Sequence, residues 1–134
     1  MATTKTVIKL TPIHCVVAVS GTGAAETIDL SVDLLSQNQT AGIATGSPTV
    51  PKVNIGAIQY TINGATPATI VRNNVTLWQL TGAFGHQFNG YSDNRENTSD
   101  IVITMPAGGG TVIIELLKVE GYGNTQHKNA PLEP

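Results

Sequence analysis

The sequence is poor in charge, in aromatic residues and in cysteine. Charged residues make up 12% of the 134 residues, with 7 Lys and Arg and a formal net charge of −2. Because no basic stripe is available to neutralise phosphates, nucleic-acid binding is not expected. The single cysteine, Cys15, excludes an intrachain disulfide and a cluster of thiolate metal ligands. Its neighbours Val16 and Val17 instead predict a small buried apolar side chain.

Long apolar runs and helical patterns are also missing. No stretch approaches the roughly 20 apolar residues that span a bilayer, and residues 1–10 lack the apolar region of a signal peptide. We therefore expect no membrane partner and synthesis in the cytoplasm. No segment repeats Ala, Leu, Glu, Lys and Arg at the spacing of a long helix. These absences leave strands as the expected secondary structure.

Thr, Asn, Gly, Val and Ile recur along the chain, and this composition favours strands and turns. The candidate strands are residues 13–20, 26–32, 52–62, 68–71, 75–80, 100–105 and 111–119. The pattern predicts an all-β fold over residues 1–134, a single antiparallel β-sandwich or jelly-roll of about seven or eight short strands. Long loops would connect the strands, and residues 1–5 and 120–134 would form extended terminal arms.

Turn signals indicate how the strands connect. A Gly-Thr-Gly turn at residues 21–23 and a glycine-rich segment at residues 106–110 each predict a hairpin between the flanking strands. The Asn-Gly pair at residues 63–64 ends another strand, because both residues tolerate positive φ. Residues 36–51 have no hydrophobic period and predict a long surface loop. Within that loop, Ile43 is either an anchor or a cap over the core.

The last candidate strand is apolar on both faces. The even-numbered residues from 112 to 116 share one face, whereas Ile113, Leu117 and Val119 lie on the other. A strand that is apolar on both faces is covered on both. One small sandwich covers one face with its core, so the other needs a loop or a second subunit. We therefore expect a homo-oligomer, with a trimer favoured.

A second group of candidate contact residues is aromatic. Residues 82–99 hold Phe84, Phe88 and Tyr91, and such a concentration predicts that this connection folds back on the sheet or contacts a partner. Together with Trp78, these rings would suit sugar stacking, which keeps a carbohydrate-binding module as an alternative function. The candidate interface residues are Ile43, Phe84, Phe88, Tyr91, Ile113, Leu117, Val119 and Tyr122.

Residues that carry chemistry are scattered along the chain. His14, His86 and His127 lie in separate segments without a partner at metal-ligand spacing, and no serine lies in a G-x-S-x-G turn. We therefore expect no catalytic residues, no cofactor, no metal site and no enzyme. The acidic loop from Asp93 to Asp100 offers oxygen ligands for a cation but lacks the EF-hand order. A hydrogen-bonded loop is the other interpretation.

Three stretches between residues 68 and 122 resemble one class of known proteins. ATIVRNNVTLWQLTGAFGH, GYSDNRENTSDIVITM and GGGTVIIELLKVEGY are similar to segments of small virion structural proteins of tailed bacteriophages, especially marine and cyanobacterial ones. The resemblance implies a β-rich decoration or cement protein on the capsid surface, made in the host cytoplasm, that binds the major capsid protein. A neck, tail or baseplate protein is the alternative within this class.

Overall fold

The computed structural model describes residues 3–36, 43–44, 47–48, 51–88 and 92–122. The described residues form eleven β-strands and no helix, which confirms the all-β prediction. The strands are β1 (Thr4–Leu10), β2 (His14–Gly21), β3 (Ala25–Ile28), β4 (Ile43–Ala44), β5 (Ser47–Pro48), β6 (Lys52–Ile62), β7 (Ala68–Arg72), β8 (Val75–Leu80), β9 (Gly82–Gln87), β10 (Ile101–Thr104) and β11 (Gly110–Glu120). Among these residues, no helix is long and apolar enough to cross a membrane.

The strands form two antiparallel sheets that pack face to face, as the sandwich prediction required. One sheet has five strands in the order β1-β2-β11-β6-β9, and the other has four in the order β3-β10-β7-β8. β4 and β5 form a separate two-stranded ribbon. The described residues hold more strands than the seven or eight expected, because β1, β9 and the ribbon lie outside the candidate strands of the sequence.

Alternating side chains of both sheets form the core. In β2, Cys15, Val17 and Val19 are buried, whereas the residues between them are half-buried. Ile70 and Ile103 are among the buried side chains that the four-stranded sheet contributes. Each fully buried side chain of this size contributes about 1.5–3 kcal/mol. The prediction that Cys15 is a small buried apolar residue is confirmed.

The glycine-rich turns carry the chain from one sheet to the other. β2 and β3 lie in different sheets, and so do β10 and β11. Both predicted hairpins are therefore wrong. Glycine suits these crossings because backbones approach closely: at Gly109, where φ is 79°, a Cβ would lie 2.8 Å from the Gly21 carbonyl oxygen. A turn pattern reveals a chain reversal, but not whether the next strand bonds to the last one or packs over it.

β7 and β8 do form a hairpin. Its turn residues Asn73 and Asn74 have φ angles of 52° and 61°, and positive φ at both positions characterises the two-residue type I′ turn. The turn leaves Arg72 as the last residue of β7, with its side chain in the interior.

Both predicted arms contain residues that belong to the sandwich. Thr4 and Lys5 lie in β1, and the Lys5 ammonium is 2.6 Å from the Asp33 carboxylate. At the other end, β11 runs into the predicted arm and Tyr122 is buried. Strand pairing and burial thus correct the arm assignments on both sides, while residues 123–134 lie outside the described residues.

Candidate functional site

The first candidate site is the outward surface of the five-stranded sheet. We call its outward side chains on β2, β6, β9 and β11 the outer face: His14, Val16, Ala18, Ser20, Gln59, Thr61, Ala83, Gly85, Gln87, Thr111, Ile113, Glu115, Leu117 and Val119. Strand register places Ile113 beside Ala18 on one side and Gln59 on the other, and Gln59 beside Gly85. The outer face therefore forms continuous rows across four strands.

The structure decides which side of β11 is outward. Val112, Ile114 and Leu116 are buried in the core, whereas Ile113 and Leu117 are half-buried on the outer face. Val119 is 46% exposed on the same side. The sequence left open which face of this strand meets solvent, and burial assigns it to the Ile113 side.

An open depression of about 340 Å³ lies on the outer face between β6, β9 and β11. It is lined by Gln59, Tyr60, Thr61, Ala83, Phe84, Gly85, Thr111 and Ile113. None of these side chains carries a charge. Two predicted interface residues, Ile113 and Phe84, line the depression, but register places their side chains on opposite faces of the sheet, because Phe84 pairs with Tyr60 and Tyr60 with the buried Val112. The small residues Ala83 and Gly85 were not predicted from the sequence, because only strand register places them across β6 from Ile113.

The second candidate site is an aromatic cluster at the open edge between the sheets. Trp78 of β8 lies 5.2 Å from His86 of β9 and 5.8 Å from Phe88, measured between ring centroids. The rings meet at angles of 53° to 73°, and the Arg95 guanidinium lies 5.9 Å from the Trp78 ring centroid. The rings therefore pack on each other and do not form one flat platform. Phe84 is 63% exposed at the same edge.

Asp93 fixes the loop beside this cluster. Its carboxylate accepts hydrogen bonds from Trp78 Nε1 at 2.8 Å and from Arg95 Nη2 at 2.7 Å. Burial alone would raise the pKa of Asp93, but the hydrogen bonds from Arg95 and Trp78 outweigh it and lower the pKa to about 2. Its backbone also exchanges two hydrogen bonds with Ile55.

These contacts bear on the predicted cation site. Asp93 is occupied by Arg95 and Trp78, and Asp100 accepts a hydrogen bond from the Leu30 amide at 3.0 Å. In the described part of the chain, no three His, Cys, Asp or Glu side chains converge as metal ligands. The interpretation as a hydrogen-bonded loop therefore accounts for the acidic residues that the structure describes.

Arg72 is a buried cation that the sequence analysis did not identify. Its side chain is 0% exposed and donates to three carbonyl oxygens, those of Val53, Asn97 and Ser99. Burial lowers the pKa of Arg72 to about 10. Because its partners are main-chain oxygens far along the chain, no residue pattern could have revealed them. Arg72 ties the 92–100 loop to β6 and β7.

The other four predicted interface residues are Tyr122, Phe88, Ile43 and Tyr91. Tyr122 is a correction, because its ring is buried and its hydroxyl donates to the Leu30 carbonyl oxygen at 2.7 Å. Phe88 is half-buried against the core. Ile43 lies in β4 but its side chain is outside what the structure describes, as is the whole of Tyr91.

The histidines also occupy different surroundings. His14 Nε2 lies 3.3 Å from a Glu115 carboxylate oxygen, His86 belongs to the aromatic cluster, and His127 is outside the described residues. The two described histidines therefore lie in separate parts of the structure.

Comparisons with known proteins give two structural likenesses. No family model and no curated protein matches the chain. KdgF from Halomonas sp. has a TM-score of 0.40 and 8% identity, covering 88% of this chain and 80% of its own. A cupin domain from Bordetella pertussis Tohama I has a TM-score of 0.42 and 11% identity, covering 88% and 94%. These values assign the chain to no family.

One prediction is corrected by this comparison. The sequence was taken to exclude an enzyme, an exclusion that does not stand beside solved structures that include KdgF and a cupin domain. Missing local motifs do not exclude catalytic groups assembled from distant strands. The exclusion of enzymes is therefore withdrawn, and the likeness, at these scores, gives this chain no activity of its own.

Proposed function

We propose that this protein is a structural component of a tailed-bacteriophage virion, a decoration or cement protein that binds the major capsid protein on the capsid surface. The observation that supports the proposal best is the outer face, where Ile113, Leu117 and Val119 are partly exposed beside an uncharged depression. Covering apolar surface contributes about 25 cal/mol per Å², so such a face suits permanent contact with a partner. A neck, tail or baseplate position is the alternative.

The proposal includes self-association. A shell presents many symmetric copies of one protein, and small proteins that bind it gain from closed symmetry of their own. The trimer favoured by the sequence stays a prediction, which the mass of the free protein decides.

Carbohydrate binding is the second candidate, and the exposed ring of Phe84 favours it. The tilted packing of Trp78, His86 and Phe88 weakens it, because sugars stack on open ring faces. Saturable quenching of Trp78 fluorescence by micromolar polysaccharide would support this candidate over the virion role.

The experiment for the virion role is co-sedimentation with undecorated capsids of the phage that encodes the chain. We expect the wild-type protein to bind to saturation and Ile113→Glu to bind at least tenfold more weakly, since an unpaired carboxylate in a dry contact is costly. Val75→Glu is the matched control, because Val75 is an exposed apolar residue of β8, away from the outer face. No binding of the wild-type protein to capsids, necks or tails would overturn the proposal.

A further inference from the structure

The two edges of the five-stranded sheet differ in their protection. β1 forms one edge, and it carries Lys5 and Lys9 with a register shift between Val7 and Lys9. Lysines and irregularities of this kind keep an edge strand from pairing with another chain. β1 is therefore a protected edge.

β9 forms the opposite edge and lacks such protection. Its sequence, GAFGHQ, contains no Lys, Arg, Asp, Glu or Pro, and all six residues are exposed. Its register with β6 is unbroken from Ala57↔Gln87 to Ile62↔Gly82. Within the described residues, no strand lies beyond it. An exposed, regular and uncharged edge strand is a template for pairing.

The ladder determines which backbone groups of β9 face outward. The Asn63 amide donates to the Gly109 carbonyl oxygen, so odd-numbered residues at this end of β6 face β11 and even-numbered ones face β9. Register then turns the N–H and C=O of Gly82, Phe84 and His86 toward β6. The N–H and C=O groups of Ala83, Gly85 and Gln87 point away from the sheet.

We propose that β9 pairs antiparallel with β9 of a second copy of this chain, across a two-fold axis at Gly85. A two-fold axis perpendicular to the sheet keeps the two outer faces on one side. It places Ala83 opposite Gln87 and Phe84 opposite His86 of the second copy, and it joins two five-stranded sheets into one.

Three features of β9 select a second copy as the occupant. The strand has no charged Lys, Arg, Asp or Glu, so two copies meet without the repulsion that Lys5 and Lys9 would cause at a β1 edge. Phe84, 63% exposed, gains an aromatic cross-strand partner. Gly85 at the axis has no side chain to obstruct the approach.

The size of the contact sets its expected strength. Six residues of strand span about 20 Å, so this pairing buries less than the roughly 1,200–2,000 Å² of a standard interface. We therefore expect dissociation in the micromolar range. The two-fold contact predicts an even number of chains, unlike the trimer favoured by the sequence, and it stands independently of the virion role because it is tested in free solution.

The test combines light scattering with amide exchange measured residue by residue. At high concentration we expect twice the 14.0 kDa mass of the chain. Between dilute and concentrated protein, exchange at Ala83, Gly85 and Gln87 should slow at least tenfold. Exchange at Phe84 and His86, already paired with β6, should change little. A trimer, a monomer at every concentration, or unchanged exchange at the three odd-numbered residues would overturn the proposal.

Variants of the chain identify what pairs with the β9 edge. The double variant Ala83→Lys, Gln87→Lys gives β9 the charge that protects β1, and it should stay monomeric. Its control, Thr76→Lys with Gln79→Lys, adds the same charge to exposed positions of β8 and should dimerise as the wild type does. Circular dichroism verifies that both fold. If deleting residues 123–134 abolishes the protection of β9, a strand from the tail is the occupant and the β9–β9 pairing is wrong.

Discussion

The 92–100 loop and the outer face differ in whether their side chains find partners within the chain. In the loop, polar groups find partners within the chain: Arg72 binds the carbonyl oxygens of Asn97 and Ser99, and Asp93 binds Trp78 and Arg95. On the outer face, apolar side chains such as Ile113 stay half-exposed. The loop groups therefore stabilise the fold, whereas the outer-face groups are available to a partner. Substitutions in the loop should lower stability, and substitutions on the outer face should weaken association.

Among the polar contacts, the largest expected effect is at Arg72. Arg72→Met fills similar volume but removes the donor to the carbonyl oxygens of Val53 and Ser99, while the Asn97 oxygen keeps its hydrogen bond from the Val53 amide. Each unsatisfied group costs about 1–3 kcal/mol, so we expect a loss of about 3–5 kcal/mol, measured by urea unfolding. Lys9→Met is the control and should cost about 0.5 kcal/mol or less, because Lys9 is an exposed residue of β1. Equal losses in the two variants would contradict the clamp role of Arg72.

The next effect depends on pH and on Asp93. Its folded-state pKa of about 2 is below the ordinary value of 3.8, so the ionised form stabilises the fold. That stability is present above pH 3.8 and is lost as the pH falls toward 2, on the order of 1–2 kcal/mol. Asp93→Asn should lack this part of the acid dependence. Parallel stability curves for wild type and variant between pH 5 and pH 2 would exclude this contribution of Asp93.

Tyr122 gives a smaller effect on the same side of the comparison. Tyr122→Phe keeps the buried ring and removes the hydroxyl that donates to the Leu30 carbonyl oxygen. One such hydrogen bond contributes about 0.5–1.5 kcal/mol. Thermal unfolding should register a loss of this size with no change in association. A change in the mass of the assembly would instead support the original prediction that Tyr122 is an interface residue.

The smallest effect on the fold is expected on the outer face. Leu117→Asp should cost the folded monomer less than about 1 kcal/mol, as for a surface substitution, while weakening attachment to a partner. Leu116→Asp, its neighbour on the core side, should unfold the domain because Leu116 is buried. Circular dichroism and capsid co-sedimentation together make the comparison. Loss of folded structure in Leu117→Asp would place this residue with the core.

The local sequence pattern predicted the features that depend on the alternation of side chains along a strand. The two faces of β11 follow directly from the spacing of Val112 and Ile113, and the valines around Cys15 indicated its burial. Strand partners could not be predicted, because glycine turns at the sheet crossings resemble those of hairpins. β9 escaped notice since GAFGHQ has no β-branched residue and is a strand through its pairing with β6. The depression could not be predicted either, because it depends on the same pairing of β9 with β6.

The position of β11 has a consequence for the route by which the chain folds. β11 lies between β2 and β6 in the five-stranded sheet, and it pairs Leu116 with Cys15 about a hundred positions earlier. While the chain is being synthesised, β2 and β6 therefore lack the strand that joins them until β11 has left the ribosome. Folding should begin late and proceed slowly, as expected when the decisive contacts span most of the sequence. Nascent chains then expose unfinished sheet edges throughout their synthesis.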